Sequence, residues 1–457
     1  MQITFFGAAG TVTGSKHFVT DGTTRLLVDC GLYQGLKTLR LRNWRPPPVD
    51  PSSLDAIVLT HAHIDHSGYL PVMVREGFRG PIYVTEPTRD LVQILLEDSA
   101  HLQEEEARNA NREGYSHHDL AAPLYTVADA KRVFDQLVTI EFRKPYSVDG
   151  IGIEHTPAGH ILGAGSVRLS TDRTSILFSG DLGPPDDPII RPPEPPPAAD
   201  WVVMESTYGD RDHPPIDPIE QLAQVVDRTL ARGGKVLISA FAVGRAQRIL
   251  YSLGQAFARG LAREAPVYLD SPMASDVTEL YLHHHDFHKL SEEDTRAMCR
   301  SATFLRSRED SQTLNGKREP CVIISASGML SGGRILHHMK HLIRYPEHTI
   351  LLPGFQAPGA SLLAGAKSVK IHGQRFSVKA EIALLSTYSA HAGQSALLEW
   401  IGQIPEPPRG VFLVHGEPAA ADCLRLEIAD RHGFPVRVAE DRETVDCLAP
   451  FGNEVRD

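Results

Sequence analysis

Short apolar runs bounded by turn residues dominate the first half of the chain. The stretches 3–6, 26–29, 56–60, 82–85, 176–179 and 201–204 each have the length and composition of a strand and predict a β-rich α/β layer. The stretch 88–112 differs, being long and glutamate-rich with apolar residues at helical spacing, and predicts a helix that covers the sheet or lines a groove. Proline clusters at 46–48 and 184–197 exclude regular structure and mark surface loops, the second a stiff connector. From 209 the pattern changes to strands at 236–239, 267–269, 322–325 and 350–352 separated by helical stretches. The first of those helices has Asp217-Pro218 at its start and Gly233-Gly234 at its end. Strand–helix repeats of this spacing predict a mostly parallel sheet. Beyond 381 the chain returns to strands and helices that carry His391 and His415. If these complete a site begun at His61, residues 209–380 are an insertion into a domain formed by 1–208 and 381–457.

Composition changes this picture little. Hydrophobic residues at 42% and charged residues at 23% are ordinary for a soluble globular chain, and no run approaches the ~18 apolar residues of a membrane span. The start, Met1-Gln2-Ile3-Thr4, lacks a basic end followed by an apolar signal core, so a cytoplasmic location is expected. Five scattered cysteines without a Cys-x-x-Cys pair fit a reducing compartment and no cysteine-bound metal. Net charge matters more. At −11 the chain is a poor general polyanion binder, so a nucleic-acid site must be locally basic or borrow charge from metal ions.

The segment Thr60-His61-Ala62-His63-Ile64-Asp65-His66-Ser67-Gly68 follows an apolar strand and places four candidate ligands within six positions. Imidazole nitrogens and carboxylate oxygens suit a borderline cation such as zinc, and a strand-to-helix corner can aim them to two sides of a metal pair. Asp29, His160 and Asp181 also stand at strand ends or in glycine turns. Singly each is weak, because an Asp beside a glycine turn is usually a turn former. Their ordered recurrence after strands strengthens the case.

These residues resemble the metallo-β-lactamase superfamily, whose His-x-His-x-Asp-His signature stands at His61 to His66, with Asp29, His160 and Asp181 matching the flanking motifs in order. The middle block narrows the likeness. Glu205-Ser206-Thr207-Tyr208-Gly209, Gly244-Arg245-Ala246-Gln247, Ser325-Ala326-Ser327-Gly328-Met329, Ser389-Ala390-His391 and Leu413-Val414-His415-Gly416-Glu417 are similar to motifs of the β-CASP branch. That branch includes the pre-mRNA 3′-end cleavage endonuclease and its prokaryotic homologues. The resemblance implies an α/β fold, an αββα metallo-β-lactamase sandwich with an inserted β-CASP domain. It implies that His61, His63 and His160 hold one zinc ion, that Asp65, His66 and His415 hold the other, that Asp181 bridges both, and that Asp29 orients a ligand. His391 is the implied general acid, with Glu205 orienting it and Asp65 also at the reacting centre.

RNA-processing members of the branch carry histidine at the position of His415, whereas DNA-repair members tend to have valine, so single-stranded RNA is the expected substrate. The implied reaction is hydrolysis of phosphodiester bonds by water activated between two Zn2+, leaving 3′-hydroxyl and 5′-phosphate ends. Internal cleavage and 5′-to-3′ trimming both remain open, as do a homodimer and RNA-processing partner proteins. A DNA nuclease of the same family and an inactive scaffold subunit are the competing readings. Glycine amides and a helix start at 327–334 can hold a phosphate, which makes Ser327, Gly328, Met329, Ser331, Gly332 and Arg334 candidate RNA contacts. His283, His284, His285 and His288 match no functional motif of the family and are expected on a solvated or interdomain face.

Overall fold

Strand Arg25–Val28 shows why the first part of the chain needs cover on two sides. Leu26 and Val28 join one apolar cluster while Leu27, equally buried, faces the other way. The computed structural model describes residues 1–114, 120–326, 330, 332–354, 365–371 and 373–452. Among these, one seven-stranded sheet runs in the order Thr444–Asp446, Gln2–Phe5, His17–Thr20, Arg25–Val28, Ala56–Val58, Ile82–Thr85, Leu137–Ile140. A second runs Val436–Val438, Gly410–Val414, Trp201–Glu205, Ser175–Phe178, Gly165–Ser170, Ile151–Pro157, Tyr146–Val148. Ile3, Phe5 and Val28 of the first sheet and Val167, Trp201 and Phe412 of the second share one core. Helix Glu86–Glu113 packs along Ile82–Thr85 and Leu137–Ile140, and helix Pro418–His432 packs along Gly410–Val414 and Val436–Val438. The layers are helix, sheet, sheet, helix.

The long helix begins where Thr85 accepts a hydrogen bond from Thr88 N, has Pro87 in its first turn, and ends at Gly114 with φ 66°. Asp217 caps helix Pro218–Ala231 in the same way by accepting from Ile219 N at 2.8 Å.

The chain divides into two compact units, Met1–Asp212 with His391–Asp457, and His213–Ala390. In the second unit a six-stranded sheet has the order Thr303–Phe304, Val267–Asp270, Val322–Ala326, Val236–Ala240, Thr349–Pro353, Glu381–Leu385. Every pairing in it is parallel. Strands such as Val236–Ala240 are buried at every position, as a sheet covered on both faces requires. The expected return to the first domain at 381 comes later, because Glu381–Leu385 pairs with Thr349–Pro353; apolar patterning does not report which sheet a strand joins. Of the solvated or interdomain face expected for the histidine cluster, His284 and His288 exclude the solvated form. Both are buried rather than solvated, and His288 Nε2 donates to the Tyr281 carbonyl at 2.9 Å.

No helix among the described residues is long and apolar enough to cross a membrane.

Candidate metal centre

Strand ends of both sheets converge within the first unit. Parallel pairing of Val28 with Val58 sets Asp29 beside Thr60, and pairing of Glu205 with Val414 sets Ser206 and Thr207 beside His415. Gly31 permits the close approach this needs, since a Cβ there would lie 1.6 Å from the Asp65 carbonyl oxygen. Gly180, at φ 57°, turns the chain so that Asp181 follows Ile176–Phe178 directly into the cluster.

Hydrogen bonds fix which ring nitrogen of His61, His66 and His415 is available. Thr60 donates its hydroxyl proton to Asp29, so its oxygen accepts from His61 Nδ1 at 3.1 Å and leaves His61 Nε2 as a lone pair. Thr207 donates to the His415 carbonyl at 3.0 Å and accepts from His415 Nδ1 at 3.1 Å, which frees Nε2 again. Asp29 accepts from His66 Nδ1 at 2.7 Å, so His66 too presents Nε2.

These nitrogens face further rings and carboxylates. His61 Nε2 and His160 Nε2 lie 3.2 and 3.1 Å from His63 Nδ1, and each is 3.5 Å from Asp181 Oδ2. On the other side His66 Nε2 is 3.3 Å from Asp181 Oδ1, and His415 Nε2 is 3.5 Å from Asp65 Oδ2. His66 Nε2 and Asp181 Oδ1 are buried without a hydrogen-bond partner. Neighbouring ligands on a tetrahedral zinc with ~2.1 Å bonds stand ~3.4 Å apart, so these spacings fit such an ion. Among the described residues three groups have ligand atoms mutually within 4.8 Å: His61, His63, His160 and Asp181; Asp65, His66 and His415; and Asp181, His391 and His415.

Electrostatics fits the same donor chemistry. Burial, joined by the neighbouring imidazoles, drives the His61 pKa well below its ordinary value, and burial takes His63 down to about 4, so both rings are neutral. Burial also acts on Asp65, upward, but His415 and His66 overcome it and bring the carboxyl to about 2. At His66 burial lowers the pKa, yet the charges of Asp181 and Asp29 hold it well above the usual imidazole range. Buried carboxylates beside rings that burial keeps neutral, as at His61 and His63, call for positive charge.

Comparison with known proteins places these features in a family. The metallo-β-lactamase superfamily model matches residues 12–224, the Beta-Casp domain model matches 246–361, and the model of the Zn-dependent metallo-hydrolase RNA specificity domain matches 375–439. Ribonuclease TTHA0252 of Thermus thermophilus is 37% identical, with 91% of this chain and 93% of that one aligned. The chain belongs to the β-CASP family of metallo-β-lactamase-fold hydrolases. Transcription termination factor FttA of Thermococcus kodakarensis is 32% identical over 97% of this chain and 71% of its own, and that of Methanocaldococcus jannaschii 29% over 93% and 68%. A crystal structure of a protein of unknown function from Enterococcus faecalis V583 shares the fold, with TM-score 0.55 at 15% identity, covering 97% of this chain and 99% of that one.

In this β-CASP hydrolase a second feature flanks the ligand groups. His391 Nδ1 lies 3.1 Å from Glu205 Oε2 and 3.2 Å from Oε1. The Glu205 carboxylate is itself fixed, accepting from Leu182 N at 2.6 Å and Thr207 N at 3.3 Å. His391 Nε2 is then directed inward, 4.0 Å from Asp181 Oδ2. Burial lowers the His391 pKa, but Glu205, then Asp181 and Asp65, outweigh it and raise it to about 9.

The candidate phosphate loop is different. Ser327, Gly328, Met329 and Ser331 lie outside the described residues. Gly332 precedes helix Arg334–Leu342, but Arg334 does not offer a free cation. Its guanidinium donates to Asp270 Oδ1 at 2.7 Å and to the carbonyls of Leu305 and Arg306 at 3.0 and 2.8 Å. Thr60 and Thr207, which select the ring tautomers, were not among the residues expected from sequence. The signal was faint: each is a hydroxyl within two positions of an expected site residue.

Proposed function

We propose that the chain is a cytoplasmic ribonuclease that hydrolyses phosphodiester bonds of single-stranded RNA with two zinc ions, leaving 3′-hydroxyl and 5′-phosphate ends. The observation that carries the reading is the pairing of His391 with Glu205 beside two groups of zinc-type ligands, one containing Asp181 and the other contacting it through His66 and His415. The full-length likeness to a Thermus ribonuclease supports RNA as substrate, and five free cysteines are in keeping with a reducing compartment.

His61, His63, His160 and Asp181 would hold one ion, and Asp65, His66 and His415 the other, with Asp181 common to both. Zinc ions there would supply Lewis acidity, lowering the pKa of water and offsetting charge that builds on the phosphate. The chain itself keeps the His61 and His63 rings neutral through burial and holds the orientation of His61, His415 and His66 through Thr60, Thr207 and Asp29. Glu205 keeps His391 protonated and fixes its Nδ1, so that Nε2–H is presented on the ligand side and can pass a proton to the departing ribose oxygen. Removing that proton from His391 leaves the neutral ring, which recovers it from solvent through its exposed edge, 18% of the side chain being accessible.

The test joins elemental analysis to product mapping on end-labelled single-stranded RNA and DNA, with chelated protein as control. Two equivalents of zinc with RNA products ending in 3′-hydroxyl and 5′-phosphate are expected. Preferential DNA cleavage, or a metal count near zero in active protein, refutes the assignment.

A further inference from the structure

Trp44 is 59% exposed, and Leu36 and Leu41 beside it are 56% and 55% exposed. Three large apolar side chains exposed within nine positions are the kind of surface that marks a binding site. Its charge is equally unusual for this molecule. From Gly31 to Val49 the chain carries Lys37, Arg40, Arg42 and Arg45 and no acidic residue, although the whole chain has a net charge of −11. Arg42 is engaged, pairing with Asp441 and stacking 4.4 Å over the Tyr33 ring. Lys37, Arg40 and Arg45 are exposed and enter no ion pair among the described residues. Arg442, also exposed, comes from a distant segment and lies close enough to act on the same Tyr33 hydroxyl.

The patch is held firmly to the segment that carries the metal-type ligands. Buried Asn43 accepts from Tyr33 N at 2.9 Å and donates to Tyr33 O at 2.8 Å, which displays the next residue, Trp44, outward. Tyr69 donates its hydroxyl to the Arg45 carbonyl at 3.1 Å, and Tyr69 stands three residues after His66, a span of at most about 11 Å. At the other end Cys30 N donates to His66 O at 2.7 Å and Leu32 N to Ile64 O at 2.9 Å.

We propose that Trp44, with Lys37, Arg40 and Arg45, is a binding surface for single-stranded RNA flanking the scissile bond, the indole stacking on an unpaired base and the three cations contacting phosphates. This rests on the ribonuclease reading. Aromatic faces interleaved with unpaired cations suit unpaired bases on a phosphate backbone, and the excess positive charge in an otherwise acidic chain selects a polyanion.

Trp201 and Trp400 are buried, so the change of tryptophan emission on ligand binding reports on Trp44. The holoprotein is titrated with a single-stranded phosphorothioate oligouridylate, which resists hydrolysis, at several salt concentrations. Emission should be quenched in the native protein and unresponsive in Trp44→Ala, whose Kd should rise at least about fivefold. A triple Lys37→Gln, Arg40→Gln, Arg45→Gln variant should lower the slope of log Kd against log salt by about 2, at ~0.7 for each phosphate that is no longer neutralised. Unchanged Kd and salt slope in both variants, with the native protein still cutting RNA, would overturn the inference alone. So would Trp44→Ala dissociating a dimer while keeping native RNA affinity, since the patch would then be a protein contact. A native protein that neither binds nor cuts RNA would overturn the ribonuclease reading along with it.

Discussion

Replacing His391 with alanine tests whether this ring delivers a proton to the leaving oxygen. In the folded chain burial disfavours the charged ring, and Glu205, Asp181 and Asp65 together outweigh it to give a pKa of about 9. Cations at the ligand groups would offset Asp181 and Asp65, so Glu205, at 3.1 Å, is the charge that continues to act. Near neutral pH the acid form therefore dominates, and deleting a positioned general acid lowers the rate by about 10²–10⁴, equivalent to about 3–5 kcal/mol. The assay is single-turnover cleavage of end-labelled RNA, run beside elemental analysis of the same preparation. Metal content should be unchanged, because among the described residues two candidate ligand groups do not include His391. The defect should shrink on a nitrophenyl phosphodiester, whose leaving group needs no proton. Full activity in His391→Ala, or an equal defect on both substrates, refutes the acid role. Loss of metal in step with activity makes His391 a ligand instead, as its proximity to Asp181 and His415 allows. Glu205→Gln tests the partner. A raised pKa means the acid form is present below it and lost as pH rises through it, so removing the Glu205 charge should move the falling limb of the rate profile to lower pH by about one unit or more. A limb that stays in place contradicts the pairing.

Four further outcomes can be measured. Asp181→Ala removes the carboxylate that touches His61, His66, His160 and His415 and should weaken metal binding more than about 100-fold with loss of activity; a fully metallated, active variant excludes the bridging role. Asp29→Asn retains shape but loses the charge facing His66 Nδ1, and metal affinity by competition with a chromogenic chelator should fall about 10–100-fold while the fold persists. Burial holds His155 at about 4, below the ordinary 6.5, so the folded state favours the neutral ring: stability is full above pH 6.5 and declines by about 3 kcal/mol as pH falls to 4, a slope in urea unfolding that His155→Gln should flatten. Asp270→Asn leaves Arg334 and His338 without the buried carboxylate that contacts them at 2.7 and 2.6 Å, and urea unfolding should report a loss of about 3–5 kcal/mol; a change under 1 kcal/mol (about a fivefold change in the folding equilibrium) contradicts a paired charge there.

Apolar runs exposed strands such as Val236–Ala240, four of whose five residues are apolar, but not Ile151–Pro157, whose sequence mixes Gly152, Glu154, His155 and Thr156 into its buried-facing alternation. The His61–His66 segment was legible for a similar reason, since its chemistry is concentrated in six consecutive positions. Partner choice over long range was not legible. Arg334 read as a free cation beside a glycine loop, but its counter-charge Asp270 stands 64 positions away, and nothing in either local sequence links them. The strand Glu381–Leu385 looked like the start of the closing segment for the same cause, its pairing with Thr349–Pro353 being a tertiary decision. Burial of His284 and His288 was hidden as well, because a polar run reports average exposure and not the residues that turn inward.

Two positions break local rules in a way that carries information. Asp29 and His415 both adopt positive φ, 60° and 49°, where glycine is less strained. An Asp followed directly by glycine would be an unremarkable turn former, yet Asp29 is followed by Cys30, and the first glycine after it is Gly31. Each strained backbone is held from outside: Asp29 N donates to Val58 O at 2.9 Å, and His415 N donates to Ala8 O at 2.6 Å. Each side chain in turn reaches the ligand groups, Asp29 through His66 and His415 directly. Glycine at either position would relieve the backbone and remove the side chain's interaction with those groups. Retaining a strained conformation where a less strained residue is always available is the behaviour expected of a site residue and not of a turn former.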